Sequence, residues 1–252
     1  MAVLKFLSVA AAAVFFSAIS WAHGDPDPNA ITPEVERVEC WKQMNAARSL
    51  VGFVDLKQKD MLKTSAEEWE GDDDGTALKA YLAAVCAAVK KEQSQTAKGV
   101  AATMGATFAY AVQDGDDVDC AAAVDYWKAA FTNFNGTLPP VYTENTTPYD
   151  SLQNISFISL FNPKDSPNVD CAYFTCPAAA TESRGQEQGT STEKGVNALI
   201  CVTTPSALEA EKQPYEQEQW DKITAGLNPS SAGAAAPTAI ALAAAAVAVL
   251  FL

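Results

Sequence analysis

Histidine is almost missing from this sequence: the 252 residues contain one, His23. Nucleophilic sites of the Ser-His-Asp or Cys-His kind need a packed imidazole as base. A His-Glu-x-x-His metalloprotease site needs two histidines. None of these can be assembled. Cys-x-x-Cys and close Cys/His pairs are also missing, which removes the redox-pair and zinc-clamp readings. Positive charge is scarce, with 17 Lys and Arg against 31 Asp and Glu and a net charge of −14. Such a surface repels nucleic acid and anionic lipid and keeps the molecule a soluble monomer.

What the sequence does have begins at its ends. Residues 1–22, MAVLKFLSVAAAAVFFSAISWA, carry one charge (Lys5) and an apolar run, and end in Ser20-Trp21-Ala22 before His23. That pattern predicts a secretory signal peptide. Removing it takes the net charge from −14 to −15, because Lys5 is its only charged residue. At the other end, Ser230, Ser231, Ala232 and Gly233 precede an uncharged tail, residues 239–252. Small residues, a short spacer and a terminal apolar tail predict a glycosylphosphatidylinositol (GPI) signal. The attachment candidates are Ser230, Ser231 and Ala232. Between the ends lie a single domain, 23–224, and a stalk, 225–238. Three sequons, at Asn135, Asn145 and Asn154, are glycosylation candidates.

Six cysteines (40, 86, 120, 171, 176 and 201) fall inside the domain. An even number in an oxidising compartment predicts three disulfides. Cys171 and Cys176 bracket the apolar segment CAYFTC. On a strand their side chains point to opposite faces, so each reaches a different partner, a neighbouring strand on one side and a helix on the other.

Thr32-Pro33-Glu34 predicts a helix start, running to about residue 52 with Val38, Trp41 and Val51 inward. GDDDGT (71–76) predicts a turn into a second helix with Leu78, Leu82, Val85 and Val89 as its apolar stripe. A third helix is expected from Asp119, with Val124, Trp127, Phe131 and Phe134 on one face. TFAYAVQ (107–113), NISFISLF (154–161), VDCAYFTC (169–176) and NALICVTT (197–204) predict strands. Residues 178–194, polar and without period, predict a long hairpin loop. Ser206 to Glu209 predicts a capping box opening a polar helix that Pro214 interrupts. Together these predict an α+β layered domain.

Two segments carry a resemblance. Gln43 to Gly52 (QMNAARSLVG) resembles the first-helix signature of the CAP superfamily (cysteine-rich secretory proteins, antigen 5 and pathogenesis-related proteins), His-Asn-x-Ala-Arg-x-x-Val-Gly. Asp170 to Cys176 followed by Ile200 to Pro205 resembles its paired strands, and Trp127 stands where its third helix carries a Trp. With the two end signals and six cysteines, the whole resembles the surface antigen (SAG) family of Eimeria parasites. The resemblance implies a disulfide-stapled three-layer α-β-α sandwich with a mainly antiparallel sheet, displayed at the host interface. It also implies the pairs Cys171–Cys201, Cys86–Cys176 and Cys40–Cys120, the first of which also follows from hairpin adjacency. Ser156 and Phe157 replace the His-Tyr that typical CAP clefts use, and Lys128-Ala129-Ala130 lacks their Glu.

The expected protein is therefore a non-enzymatic surface antigen without catalytic residues, metal or cofactor. Its expected partners are the host-cell surface or host immune components, with no nucleic acid and no membrane contact beyond the anchor. The exposed segments 135–156 and 178–194 are the expected recognition surfaces. A lipid or sterol carrier is the alternative, with Trp41, Trp127, Phe131 and Phe134 as candidate groove aromatics, although at helical spacing such residues are core. A carboxylate hydrolase ranks third. The acidic runs 71–75 and 114–119 match no EF-hand loop and are expected to cap the helices that follow.

Overall fold

A computed structural model describes residues 32–71, 74–90, 105–115, 117–178 and 195–228. The signal segment with His23, nearly all of the 178–194 loop and the anchor candidates at 230–232 lie outside the described residues. The stalk reading is corrected at its start, since residues 225–227 close a helix.

The sheet is built from β1 (Glu34–Arg37), β2 (Lys57–Gln58), β3 (Thr107–Gln113), β4 (Asn168–Cys176) and β5 (Val196–Thr204). The main order is β1-β4-β5-β3, antiparallel throughout, and β2 pairs in parallel with the start of β4. Three strands therefore fall where period and β-branching placed them. Among the described residues the α-helices are α1 (Trp41–Leu50), α2 (Thr76–Lys90), α3 (Cys120–Ala129), α4 (Leu152–Leu160) and α5 (Gln217–Leu227).

Strand parity divides the core. Ala109, Ala111, Val169, Cys171, Tyr173, Leu199 and Cys201 face a cluster with Met44 of α1, Trp127 of α3 and Trp220 of α5. Phe108, Tyr110, Ala172, Phe174, Ala198, Ile200 and Val202 face Leu82, Val85 and Val89 of α2. The α2 stripe read from spacing is thus the buried face. Leu78 is half-buried at its edge.

Each face has a staple. Cys171 and Cys201 are directly opposed across β4 and β5. Cys176, five residues along, faces the other way and bonds Cys86 of α2. Cys40, at the N-terminus of α1, bonds Cys120 at the first turn of α3.

Four further expectations are corrected. Residues 34–37 form a strand rather than a helix, because Glu34 to Arg37 pairs with Thr175 to Ala172 along the edge of β4. A good helix start is worth roughly 0.5–2 kcal/mol, less than a four-residue ladder with Val35 packed on the α2-side core. The helix begins instead at Trp41.

Residues 152–160 form a helix rather than a strand. Every residue from Asn154 to Leu160 is buried. A helix buried all round shows no amphipathic period, and so reads like a buried strand. Its N-cap is Ser151, whose hydroxyl accepts from the Asn154 N–H.

The capping box at Ser206 is not made. Ala207 N–H donates to Thr107 Oγ1 at 2.8 Å, and the Ser206 hydroxyl donates to the Leu208 carbonyl at 2.9 Å. Glu209 turns instead to Lys164 and Lys212. A box does form at Glu216/Gln219, opening α5 after Pro214. Finally, the third helix is α-helical only to Ala129 and tightens into a 3-10 turn, Ala130–Phe134, with its apolar face still inward.

Candidate functional site

The motif QMNAARSLVG builds a turn rather than a catalytic surface. Asn45 clamps Leu56 from both sides, its Nδ2 donating to the Leu56 carbonyl at 3.0 Å and its Oδ1 accepting from the Leu56 N–H at 2.8 Å. Arg48 is fully buried, and donates from Nε to the Val54 carbonyl (2.8 Å) and from Nη1 to the Leu160 carbonyl (2.9 Å). Burial draws the pKa of its guanidinium down to about 10. Gly52 takes the left-handed conformation (φ 68°) that closes α1. Gly52 N–H bonds Ser49 and Phe53 N–H bonds Arg48, the paired bonds of a Schellman ending.

A second polar cluster fastens the segment after β2. Asp170, buried on β4, accepts from the N–H groups of Met61 (2.6 Å) and Leu62 (2.7 Å) and from Arg37 Nε (3.2 Å). Arg37 Nη2 donates to the Leu62 carbonyl and to Glu68. Burial works against the Arg37 charge, but Glu68, Asp170 and Asp60 outweigh it and hold its pKa above the usual value. Asp170 and Glu68 thus hold backbone, Glu68 also accepting from the Ser65 N–H at 3.1 Å.

The acidic runs act as caps. Asp74 Oδ1 accepts from Thr76 N–H at 3.0 Å, and Asp119 Oδ1 from Ala122 N–H at 2.8 Å. Among the described residues no three His, Cys, Asp or Glu side chains are grouped to hold a metal.

The groove aromatics are core. Trp127 is fully buried and donates from Nε1 to the Tyr110 carbonyl at 2.8 Å. Phe131 and Phe134 pack on Phe157 and Trp220 with ring centroids 5.5–6.4 Å apart. Trp41 is half-buried against the same core. Ser156 and Phe157 lie on α4. The Ser156 hydroxyl accepts from the Tyr110 N–H at 2.8 Å, and Phe157 is fully buried. The sequons divide. Asn135 and Asn145 are exposed at left-handed turn positions, with φ of 51° and 57°. Asn154 is buried, with Nδ2 donating to the Pro148 carbonyl (2.9 Å) and Oδ1 accepting from Asn133 (2.7 Å).

An open cleft of about 490 Å3 is lined by Tyr110, Val112, Tyr126, Asp150, Ser151, Leu152 and Gln153; its last four residues fall in the 135–156 segment expected to carry recognition, whereas sequence reasoning missed the contributions of β3 and α3. β3 supplies Tyr110 and Val112, α3 supplies Tyr126, and the start of α4 supplies the rest. Val112 and Tyr126 are 48 % and 47 % exposed, so an apolar edge and a ring face solvent. The polar wall is held in place. Gln153 Nε2 donates to the Tyr126 carbonyl at 2.7 Å, tying α4 to α3, and Thr147 donates to Asp150 Oδ2 at 2.7 Å. The one signal that could have located it is Ser151 as an N-cap, which a strand reading of 154–161 obscured.

Among the described residues no helix is long and apolar enough to cross a membrane. Residues 36–243 match the model of the sporozoite surface antigen (SAG) protein domain. The chain is 31 % identical over 234 residues to the sporulated oocyst TA4 antigen of Eimeria tenella, covering 90 % of this chain and 87 % of that one. No solved structure matches it.

Proposed function

The chain belongs to the sporozoite surface antigen family, and from that premise we propose a non-enzymatic, GPI-anchored surface antigen that attaches to host cells or engages host immune components. The observation that carries this reading is where the chain leaves the fold. The last turn of α5 lies on the C-terminal end of α1, with Gly226 against Leu50 and Val51. The Cys40–Cys120 bond holds the opposite end of α1, about 15 Å away for ten residues. With an anchor attached a few residues beyond Leu227, the Leu50 end would lie nearer the membrane and the Cys40 end farther from it. Val112 belongs to that farther end, since the neighbouring Gln113 bonds both backbone groups of Asp119, beside Cys120.

Three disulfides on both faces of the sheet suit a scaffold that persists outside the cell. Helix-borne cores on both faces of an antiparallel sheet support the CAP-like three-layer arrangement that the resemblance implies. The lipid-carrier reading loses its motive, because its candidate aromatics fill the core.

The test is binding of the processed protein to intact host epithelial cells, with a reduced and alkylated sample as control. Saturable binding lost on reduction is expected. Binding no greater than the control would remove direct attachment. Release of the protein from the parasite surface by a phosphatidylinositol-specific phospholipase is the parallel test of the anchor, and retention would overturn it.

A further inference from the structure

We propose that the cleft between β3, α3 and the start of α4 binds a neutral saccharide. This rests on the surface-display reading, and it names the chemistry that such a protein would recognise.

The cleft's size falls in the range of small-ligand sites, roughly 300–1,000 Å3, at about 490 Å3. Its lining has two characters. Tyr126, half-exposed on α3, and Val112 at the end of β3 present a ring and an aliphatic edge. The same cleft is lined by Asp150, Ser151 and Gln153. A pyranose needs this combination: an apolar face for its C–H side, and donors beside acceptors for its hydroxyls.

Charge narrows the class. Among the described residues no Lys or Arg lines the cleft, and the chain carries a net charge of −14, so sulfated or sialylated sugars are disfavoured. Asp150 is already engaged: it accepts from Thr147 and stands beside the α4 N-terminus, whose positive dipole end favours a carboxylate there. It remains an acceptor flanked by amide and hydroxyl groups, the set a polyol uses, and a lysine probe distinguishes a cation held by this carboxylate from a neutral sugar.

Position and rigidity agree. The Ser156–Tyr110 and Gln153–Tyr126 bonds hold three of the contributing elements in one geometry. A preformed site loses less ordering entropy on binding.

The experiment uses the full chain processed in a eukaryotic secretory host. Saturation-transfer NMR would be recorded with methyl glycosides of glucose, galactose, mannose and N-acetylglucosamine, and with N-acetyl-lysine amide and sialic acid for comparison. Binding of at least one neutral glycoside at about 1 mM or tighter is expected. Tyr126→Ala and Asp150→Asn should each weaken it at least about tenfold, with the circular dichroism unchanged. Preference for the lysine or sialic acid probe would overturn the proposal, as would no binding or binding indifferent to both substitutions. Host-cell attachment that survives Tyr126→Ala would sink this inference and leave the attachment reading standing. Glycoside binding without cell attachment would do the reverse.

Discussion

The side-chain hydroxyl of Ser156 accepts a hydrogen bond from the backbone N–H of Tyr110 at 2.8 Å, so helix α4 completes the open edge of the sheet. β3 is the last strand in the order, and an unpaired edge is a liability in water. Ser159 donates to the Thr107 carbonyl at 3.0 Å, and Trp127 to the Tyr110 carbonyl. The edge is closed by side chains where another sheet would use a strand.

Ser156→Ala should therefore cost about 1–3 kcal/mol, because it strands a buried N–H. A urea titration should show a lower midpoint at unchanged slope. An unchanged midpoint would mean that water or a shift of α4 satisfies Tyr110.

Gly226→Ala should destabilise although it removes a helical glycine. A Cβ there would clash with the Leu50 carbonyl oxygen and lie 2.8 Å from Val51 Cγ1. The helix-propensity gain of about 1 kcal/mol is outweighed by overpacking against backbone, about 1–3 kcal/mol. A thermal midpoint equal to or above that of the parent would show α5 free to move off α1.

Alkali should unfold the protein as its tyrosines titrate. Burial, the largest cause each time, raises the pKa of Tyr81 to about 12, that of Tyr215 well above its usual value, and those of Tyr142 and Tyr149 in the same direction. A raised folded pKa stabilises fully below the unfolded value, near 10, and that stability is lost as pH rises toward 12. Arg48, lowered to about 10, works the other way over the same range, one group against four. Tyrosinate absorbance for these residues should rise together with loss of circular dichroism. A smooth titration centred near 10 with the fold intact would contradict their burial.

N-glycans are expected on Asn135 and Asn145 and not on Asn154. Expressed in a glycosylating host, Asn135→Gln and Asn145→Gln should each remove one glycan mass. Asn154→Gln should remove none, but should lower stability by about 1–3 kcal/mol, since it disturbs the Asn133 and Pro148 bonds. A glycan found at Asn154 would mean that modification precedes closure of the α4 N-terminus.

Local pattern by itself determined the elements whose two sides differ. The α2 stripe repeats at helical spacing because one side meets the sheet and the other meets water. VDCAYFTC and NALICVTT are β-branched and bounded by turns. The odd spacing of Cys171 and Cys176 already sends them to opposite faces, because strand parity is a property of covalent geometry. Asp119 announces its helix by capping it.

The tertiary structure decided what has no local contrast. From Asn154 to Leu160 α4 is buried on every side, so no period distinguishes it from a strand until β3 is beside it. β1 overrides a good helix start only because the edge of β4 is there to pair with. The cleft joins residue 110 to residue 153 across three elements, and no spacing along the chain encodes such a meeting. Burial and cross-chain pairing are relations between segments, and folding alone supplies them.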